Sequence, residues 1–332
     1  MTDRYASCLL CPRSCGVNRR AGETGFCGET SGLRIAAAVI HKGEEPPLVG
    51  TGGSGTIFIS GCNLGCVFCQ NYQVSHSVIK FPAQGGGSGA AGLGRVVSPE
   101  EFAAICAALR DNGAENINIV TGSHAIPALI EGFEAARKTG VLAASPASAK
   151  LPKQIPVLWN CSAYETPAAL ELLENYVDIY LPDLKTLDAT IAEKFFNAPD
   201  YPSAAKEAIL KMIEITNKKE QLTENRVIIR HLILPGYLES TRSVLRWFAD
   251  NAKGRALLSL MTQYTPIPGR GDTAPKRYLL EEEYETVMKW LDDFGIEDGF
   301  CQELVTGNEW LPDFKRSNPF PSKLSVPVWT FS

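Results

Sequence analysis

The sequence predicts an α/β fold: a partial or complete parallel (β/α) barrel of six to seven units, with a small cysteine-bearing extension ahead of it. Three observations carry the prediction. Short β-branched runs alternate with helical stretches along most of the chain. Those runs are apolar almost throughout instead of alternating, as in strands buried on both faces. Polar residues gather just after the runs, where barrels and open parallel sheets both place their chemistry. A doubly wound open sheet meets the same three observations and is the runner-up.

Residues 1–50 read as a turn-rich cysteine module, 51–305 as the barrel and 306–332 as a C-terminal tail. The first barrel strand is TIFIS (56–60). A glycine-rich surface loop follows at 82–95. Over 98–113, Ser98 at the N-cap, Pro99 at the first position and Glu101 three residues after the cap form a capping box, and Gly113 stops the helix. NINIVTG (116–122) is a strand, and AIPALIEGFEAARKTG a helix. Residues 141–154 look like an irregular insertion. IPVLWNCS (155–162) is a strand, TPAALELLENY a helix, and VDIYLPDLK (177–185) a strand. A helical stretch covers 188–217. RVIIRHLILPG (226–236) is a strand, STRSVLRWFADNA a helix, and ALLSLMTQYTP (256–266) a strand. LEEEYETVMKWLDDFG (280–295) is the last helix, and a seventh short strand fits 299–304.

The 332 residues suffice for two domains or for one large barrel with extensions. Hydrophobic residues at 45% and charged residues at 21% are ordinary for a globular chain that buries its own core. A net charge of -5 without a basic run argues against a nucleic-acid partner. No stretch of about 18 apolar residues is present, so no membrane span is expected; LRIAAAVI (33–40) is too short and carries Arg34. The start, MTDRYASCLLCPRSC, lacks the apolar core of an export signal. Seven of the ten cysteines lie in the first 69 residues. Without an export signal, such crowding favours metal or redox chemistry in a reducing cytoplasm over disulfides.

SGCNLGCVFCQN (60–71) holds Cys62, Cys66 and Cys69, spaced C-x3-C-x2-C. A closed zinc site takes four ligands and a disulfide two. Three thiolates on a tight loop can instead hold three irons of a [4Fe-4S] cluster and leave the fourth open. The bland alternative is a zinc knuckle that borrows His76, His41 or an N-terminal cysteine. Cys8, Cys11, Cys15 and Cys27 are spaced C-x2-C-x3-C-x11-C and can close a complete site, which suits zinc or a second [4Fe-4S] cluster; idle thiols or transient disulfides are the alternative. His41, Glu44 and Glu45 are read either as polar gates at the barrel mouth or as a solvated turn, and His124 and His231 as structural histidines.

The triplet after the first barrel strand, with Phe68 just before its last cysteine, resembles the radical S-adenosylmethionine (SAM) superfamily. The likeness is closest to uncharacterised relatives of pyruvate formate-lyase activating enzyme and covers about residues 56–270. It implies a [4Fe-4S] cluster whose open iron is chelated by the amino and carboxylate groups of SAM. It further implies reductive cleavage of the sulfonium C–S bond to a 5′-deoxyadenosyl radical that abstracts a substrate hydrogen. Phe68 would lie against SAM. YLPDLK resembles a strand-end Asp-x-Lys pair, which makes Asp183 and Lys185 SAM-contacting or cation-binding candidates. IRHLILPG resembles the family's fifth strand and turn. In MTQY, Tyr264 stands where the activase has a SAM-proximal histidine; in WNCS, Asn160 replaces an acid. The Gly-Gly-Glu that grips the SAM amino group is here TGSH (121–124), leaving Ser123 as an acceptor. The implied partners are an electron donor such as flavodoxin or ferredoxin and a protein substrate, led by a glycine-bearing partner. Radical modification of another protein, peptide or small molecule is second. A metal-binding electron carrier is the non-enzymatic reading.

Overall fold

The computed structural model describes residues 4–75, 93–142, 154–218, 226–267 and 273–331. The glycine-rich loop predicted at 82–95, the insertion predicted at 141–154 and His76 fall wholly or mostly outside them.

Ten strands are described: β1 (Leu33–His41), β2 (Ser54–Ile59), β3 (Arg95–Val97), β4 (Ile117–Val120), β5 (Val157–Cys161), β6 (Ile179–Pro182), β7 (Ile228–Leu232), β8 (Leu257–Met261), β9 (Gly299–Cys301) and β10 (Ser325–Thr330). β2, β4, β5 and β6 pair in parallel in that order, as do β7, β8 and β9. Parallel bridges Tyr180↔Val227 and Asp183↔Arg230 join the two sets into one curved row of seven. Among the described residues β9 pairs with β8 alone, so the barrel is partial, as predicted, with the short seventh strand in place.

The open side is finished by antiparallel strands that the sequence reading leaves out. β1 pairs with β2, with β3 and with β10. LRIAAAVI thus becomes a buried sheet strand, with Ile35, Ala38 and Val39 wholly inaccessible. The C-terminal segment supplies Phe314 and Phe320, which pack on Phe58, Val120 and Ala37 against the inner face of the sheet.

Nine helices complete the described residues: α1 (Pro46–Val49), α2 (Tyr72–Ser75), α3 (Pro99–Asp111), α4 (Ile126–Lys138), α5 (Pro167–Glu171), α6 (Ala189–Phe196), α7 (Tyr201–Asn217), α8 (Leu238–Asn251) and α9 (Glu281–Asp293). Ser98 caps α3 by accepting from Glu101 N–H at 3.2 Å. The other half of the expected capping box is not made, because the Glu101 carboxylate turns to the Arg95 guanidinium, a charged donor. The predicted stretch 188–217 is two helices. Asn197 takes a left-handed conformation (φ 51°) and ends α6, and Pro202 sits in the first turn of α7. α1 enters the barrel from the N-terminal ends of the strands, where Leu48 packs on Leu158, Leu181 and Ile228.

Candidate functional site

A cavity of about 650 Å³ runs through the barrel. That volume lies within the range of about 300–1,000 Å³ typical of small-molecule and cofactor sites. At the C-terminal ends of the strands its wall is made by Cys62, Cys66, Cys69 and Phe68, with Asn160, Asp183 and Lys185 also lining it. The cysteine loop leaves β2 through Gly61 at φ 83°, and a Cβ there would stand 2.9 Å from the Cys27 carbonyl. The loop is docked on the end of α6, where Gly65 and Val67 donate main-chain N–H groups to the carbonyls of Phe196 and Phe195.

The thiols are conditioned by burial. It pushes Cys66 up to about 12 against the pull of Lys185, and raises Cys62 further with help from Cys66 and Cys69. Thiols raised in this way become thiolates beside strong positive charge, which an iron-sulfur cluster supplies. Leu64 N–H donates to Cys62 Sγ at 3.3 Å, and Cys69 Sγ shares a hydrogen bond with Ser75 Oγ at 3.2 Å. Among the described residues no three His, Cys, Asp or Glu side chains stand at the spacing of a single-ion site.

Asp183 and Lys185 form one unit at the end of β6. Lys185 Nζ lies 2.6 Å from Asp183 Oδ2. Burial works against the Lys185 ammonium, but Asp183 and then Cys66 outweigh it and hold it charged. Tyr201 fixes the turn between them, accepting from Lys185 N–H at 2.9 Å and donating to the Asp183 carbonyl at 2.7 Å. Asn160 also faces the cavity, and its carbonyl accepts from Thr121 N–H at 2.9 Å. Phe68 packs edge-on against Phe195 and Phe196 with centroids 5.8 Å apart, and lies 5.9 Å from Tyr264.

Two predicted residues stand outside the cavity lining. Ser123 is 1% exposed and its hydroxyl donates to the Glu165 carboxylate. Tyr264 is as deeply buried, with its hydroxyl on the Pro275 carbonyl at 2.8 Å. Cys8, Cys11, Cys15 and Cys27 gather in a separate knuckle on the outside of the cysteine loop. Burial pushes Cys11 up to about 12, and the other three cysteines each raise it further.

Several residues of the site escape sequence reasoning. Glu165, on the turn after β5, is a buried carboxyl whose pKa burial raises; only its place after a strand end could have pointed to it. Thr121, a β-branched residue lining the cavity, holds φ 64°, a costly conformation for its type. Gln70, Asn71, Gln263 and Gln302 form a carboxamide belt with Asn160. Gln70 Nε2 donates to the Gln263 carbonyl at 2.9 Å, and Gln302 Nε2 to Gln263 Oε1 at 2.6 Å. At the far end Arg230 donates to both Glu44 and Glu45, so those two acids, read as gate or solvated turn, belong to a buried ion group lining the cavity.

An uncharacterized protein of Methanocaldococcus jannaschii, MJ0674, is 29% identical over 301 residues, which cover 88% of this chain and 76% of that protein. Among solved structures, Streptococcus suis SuiB bound to S-adenosylmethionine aligns at 15% identity with a TM-score of 0.42, over 73% of this chain. This chain spans only 45% of that one. QueE from Escherichia coli aligns at 13% identity and a TM-score of 0.41, over 83% of this chain and 95% of its own. Residues 56–248, more than half of the chain and including the triplet, match the Radical SAM superfamily, and the chain belongs to that superfamily.

Proposed function

We propose that this radical SAM enzyme abstracts a hydrogen atom from a peptide segment of a partner protein, in the manner of a glycyl-radical activase. A [4Fe-4S] cluster and SAM are the groups that membership implies, and when bound the cluster supplies the electron that breaks the sulfonium C–S bond. Cys62, Cys66 and Cys69 would hold the cluster. Lys185, with two N–H donors beyond the one it gives Asp183, would take the SAM carboxylate. Phe68 would lie against SAM. Asn160 and Asp183 would accept hydrogen bonds within the same cavity, with Ser123 and Tyr264 supporting it from behind.

The observation that carries the substrate reading is the carboxamide belt of Gln70, Asn71, Asn160, Gln263 and Gln302. Each side chain carries both a donor and an acceptor. Gln302 gives its oxygen to Thr262 N–H and its amide to Gln263, and Gln70 its amide to the Gln263 carbonyl, so Asn71 and Asn160 are the members whose side chains make no bond within the belt and complement a peptide group. The cavity's charges stand in two ion-paired groups, Asp183–Lys185 and Arg230–Glu44–Glu45, and the carboxamides are its neutral hydrogen-bonding groups. The reductant would be a flavodoxin- or ferredoxin-type donor, in the cytoplasm. No helix among the described residues is long and apolar enough to cross a membrane.

The same reading gives Cys8, Cys11, Cys15 and Cys27 a second metal, as zinc or a closed [4Fe-4S] cluster. The supporting observation is that Cys8, Cys15 and Cys27 all lie near enough to Cys11 to raise its thiol, which burial raises first, although the four side chains do not stand at single-ion spacing.

The test is anaerobic reconstitution, then turnover with SAM and proteins from cells grown on deuterated glycine. Deuterium in 5′-deoxyadenosine, from the protein fraction only, supports the proposal. Transfer from the small-molecule fraction instead would replace it with small-molecule modification.

A further inference from the structure

The four-cysteine knuckle carries two arginines whose side chains leave it. Arg13 lies between Cys11 and Cys15 in sequence, and its guanidinium reaches across to the cysteine loop. Nε donates to the Asn63 carbonyl at 3.1 Å, one residue after Cys62. The two terminal nitrogens donate to the carbonyls of Phe196 at 3.1 Å and Asn197 at 2.5 Å. These are the last carbonyls of α6, the negative end of its dipole, and the Phe196 carbonyl also receives Gly65 N–H of the cysteine loop. Arg13 is held flat by Phe26, whose ring centroid is 3.7 Å from the guanidinium carbon, with Tyr164 at 5.4 Å on the same group. The Tyr164 carbonyl in turn accepts from Asn63 Nδ2 at 2.6 Å. Asn63 is therefore gripped at both its carbonyl and its amide.

Arg19 does the same for the neighbouring strand end. It is 1% exposed and donates to the carbonyls of Glu29, Thr30 and His124. His124 follows Ser123, and its ring Nε2 lies 2.8 Å from the Ser60 carbonyl. The knuckle thus holds the loops leaving β2 and β4, the two that flank the cluster position.

What holds the knuckle itself is little regular structure. Its one element is a three-residue 3-10 turn, Arg19–Ala21. Ser14 at φ 41° and Gly16 at φ 65° make the tight turn that returns Gly16 N–H to the Cys8 carbonyl at 3.0 Å. A Cβ on Gly25 would fall 2.5 Å from Cys15 Sγ, so the Cys27 turn is pressed against the Cys15 sulfur. The segment is docked on the barrel core through Tyr5, Cys8 and Leu10, and a metal at the four cysteines would fix its turns further.

We infer that the N-terminal knuckle is a metal-set clamp on the Cys62–Cys69 loop, and that Arg13 is its positioning residue. This rests on the second metal site of the proposed function and goes beyond it. Metal at the four cysteines fixes the turn that aims Arg13, and Arg13 fixes Asn63 and the α6 carbonyls on which the cluster loop is docked.

The experiment uses the full chain, reconstituted anaerobically, in three variants: Arg13→Gln, Arg13→Lys and Cys8→Ser/Cys11→Ser. Each is read by iron, sulfide and zinc counts, by electron paramagnetic resonance of the reduced barrel cluster, and by hydrogen exchange of amides 61–67. Arg13→Gln should keep the knuckle's metal, speed loop exchange by about tenfold or more and alter the cluster's resonance signal. Arg13→Lys should recover part of both, since one ammonium replaces only some of the three bonds. The double cysteine variant should lose the knuckle's metal and reproduce the loop exchange of Arg13→Gln. Wild-type exchange and signal in Arg13→Gln would overturn the clamp. Loss of metal in the double variant without faster loop exchange would overturn its being metal-set. Unchanged metal content there would instead overturn the second site itself, with Arg13→Gln still judging the clamp.

Discussion

Lys185→Ala separates a binding role from a structural one. Two effects compete. The first is loss of the ion pair with Asp183, whose side chains are 19% and 26% exposed and 2.6 Å apart. A pair so placed contributes about 1 kcal/mol or less to stability. The second is loss of a charged donor for the SAM carboxylate. Charge-assisted hydrogen bonds contribute about 1.5–3 kcal/mol, a factor of roughly ten to a hundred in affinity. Binding should therefore register the change far more than folding does. The assay is calorimetric titration of SAM into anaerobically reconstituted protein, with iron counted on the same sample. The expected result is SAM affinity lower by about ten- to a hundredfold, with triplet iron unchanged. The variant Asp183→Asn/Lys185→Met provides the control. If Lys185 served only to neutralise Asp183, this neutral pair would bind SAM as tightly as wild type. Affinity within about twofold of wild type in Lys185→Ala itself would refute the carboxylate contact and leave Lys185 as the counter-charge of Asp183 and Cys66.

Four other outcomes follow from the structure. Replacing Cys62, Cys66 or Cys69 by Ala should abolish both the barrel cluster's absorbance and 5′-deoxyadenosine formation, measured against wild type reconstituted alongside. Arg277 hydrogen bonds, with the N–H groups of Leu280 and Gly236, hold Glu283 down at about 2. Its folded pKa lies below the unfolded value of 4.5, so its stabilisation is present above that pH and fades as pH falls toward 2. Glu283→Gln should then cost about 1.5–3 kcal/mol in urea unfolding at pH 7, and progressively less below pH 4.5. His231 is pushed down to about 4 by burial, neutral between the Leu184 carbonyl and Thr241. The unfolded chain alone takes up that proton between 6.5 and 4, so stability falls with acid by up to about 1.4 kcal/mol per pH unit, a slope that His231→Gln should remove. Thr121→Gly should relieve the strain at φ 64° and unfold no more easily than wild type, by contrast with Thr121→Val, which keeps the β-branch there.

What the sequence shows plainly is what neighbours along the chain decide. Six of the seven parallel strands are near-continuous apolar runs, and a run buried on both faces needs no partner to be recognised; β9 is only three residues and largely exposed. The helix at 98–113 is equally local, with Ser98, Pro99 and Gly113 each acting within a turn of its end. The cysteine triplet belongs to the same class, since three ligands within eight residues are a short-range pattern. The antiparallel strands β1 and β10 are different. Leu33–His41 is nine residues of apolar chain whose role depends on β2, β3 and β10, and β10 is itself half-exposed and carries Pro327. Nothing within either segment marks the pairing.

The same division separates the parts of the site. Asp183 and Lys185 are two residues apart and were legible as a unit. The contacts that hold the loops around them join residues far apart: Arg13 to Asn63 over 50 positions, Arg230 to Glu45 over 185, and Gln73 to Asp313 over 240. Ser123 shows the cost of reading such a position locally. Its place two residues after a strand-end Thr marks it as an acceptor for a ligand amine, yet the structure turns its hydroxyl to Glu165, 42 residues away. The carboxyl there is wholly buried and its pKa is raised, so Ser123 donates into the core instead of facing the cavity. With Thr121 strained and Ser123 turned inward, what β4 can offer a ligand amine is main-chain carbonyl, and carbonyls have no residue signature for a sequence to show.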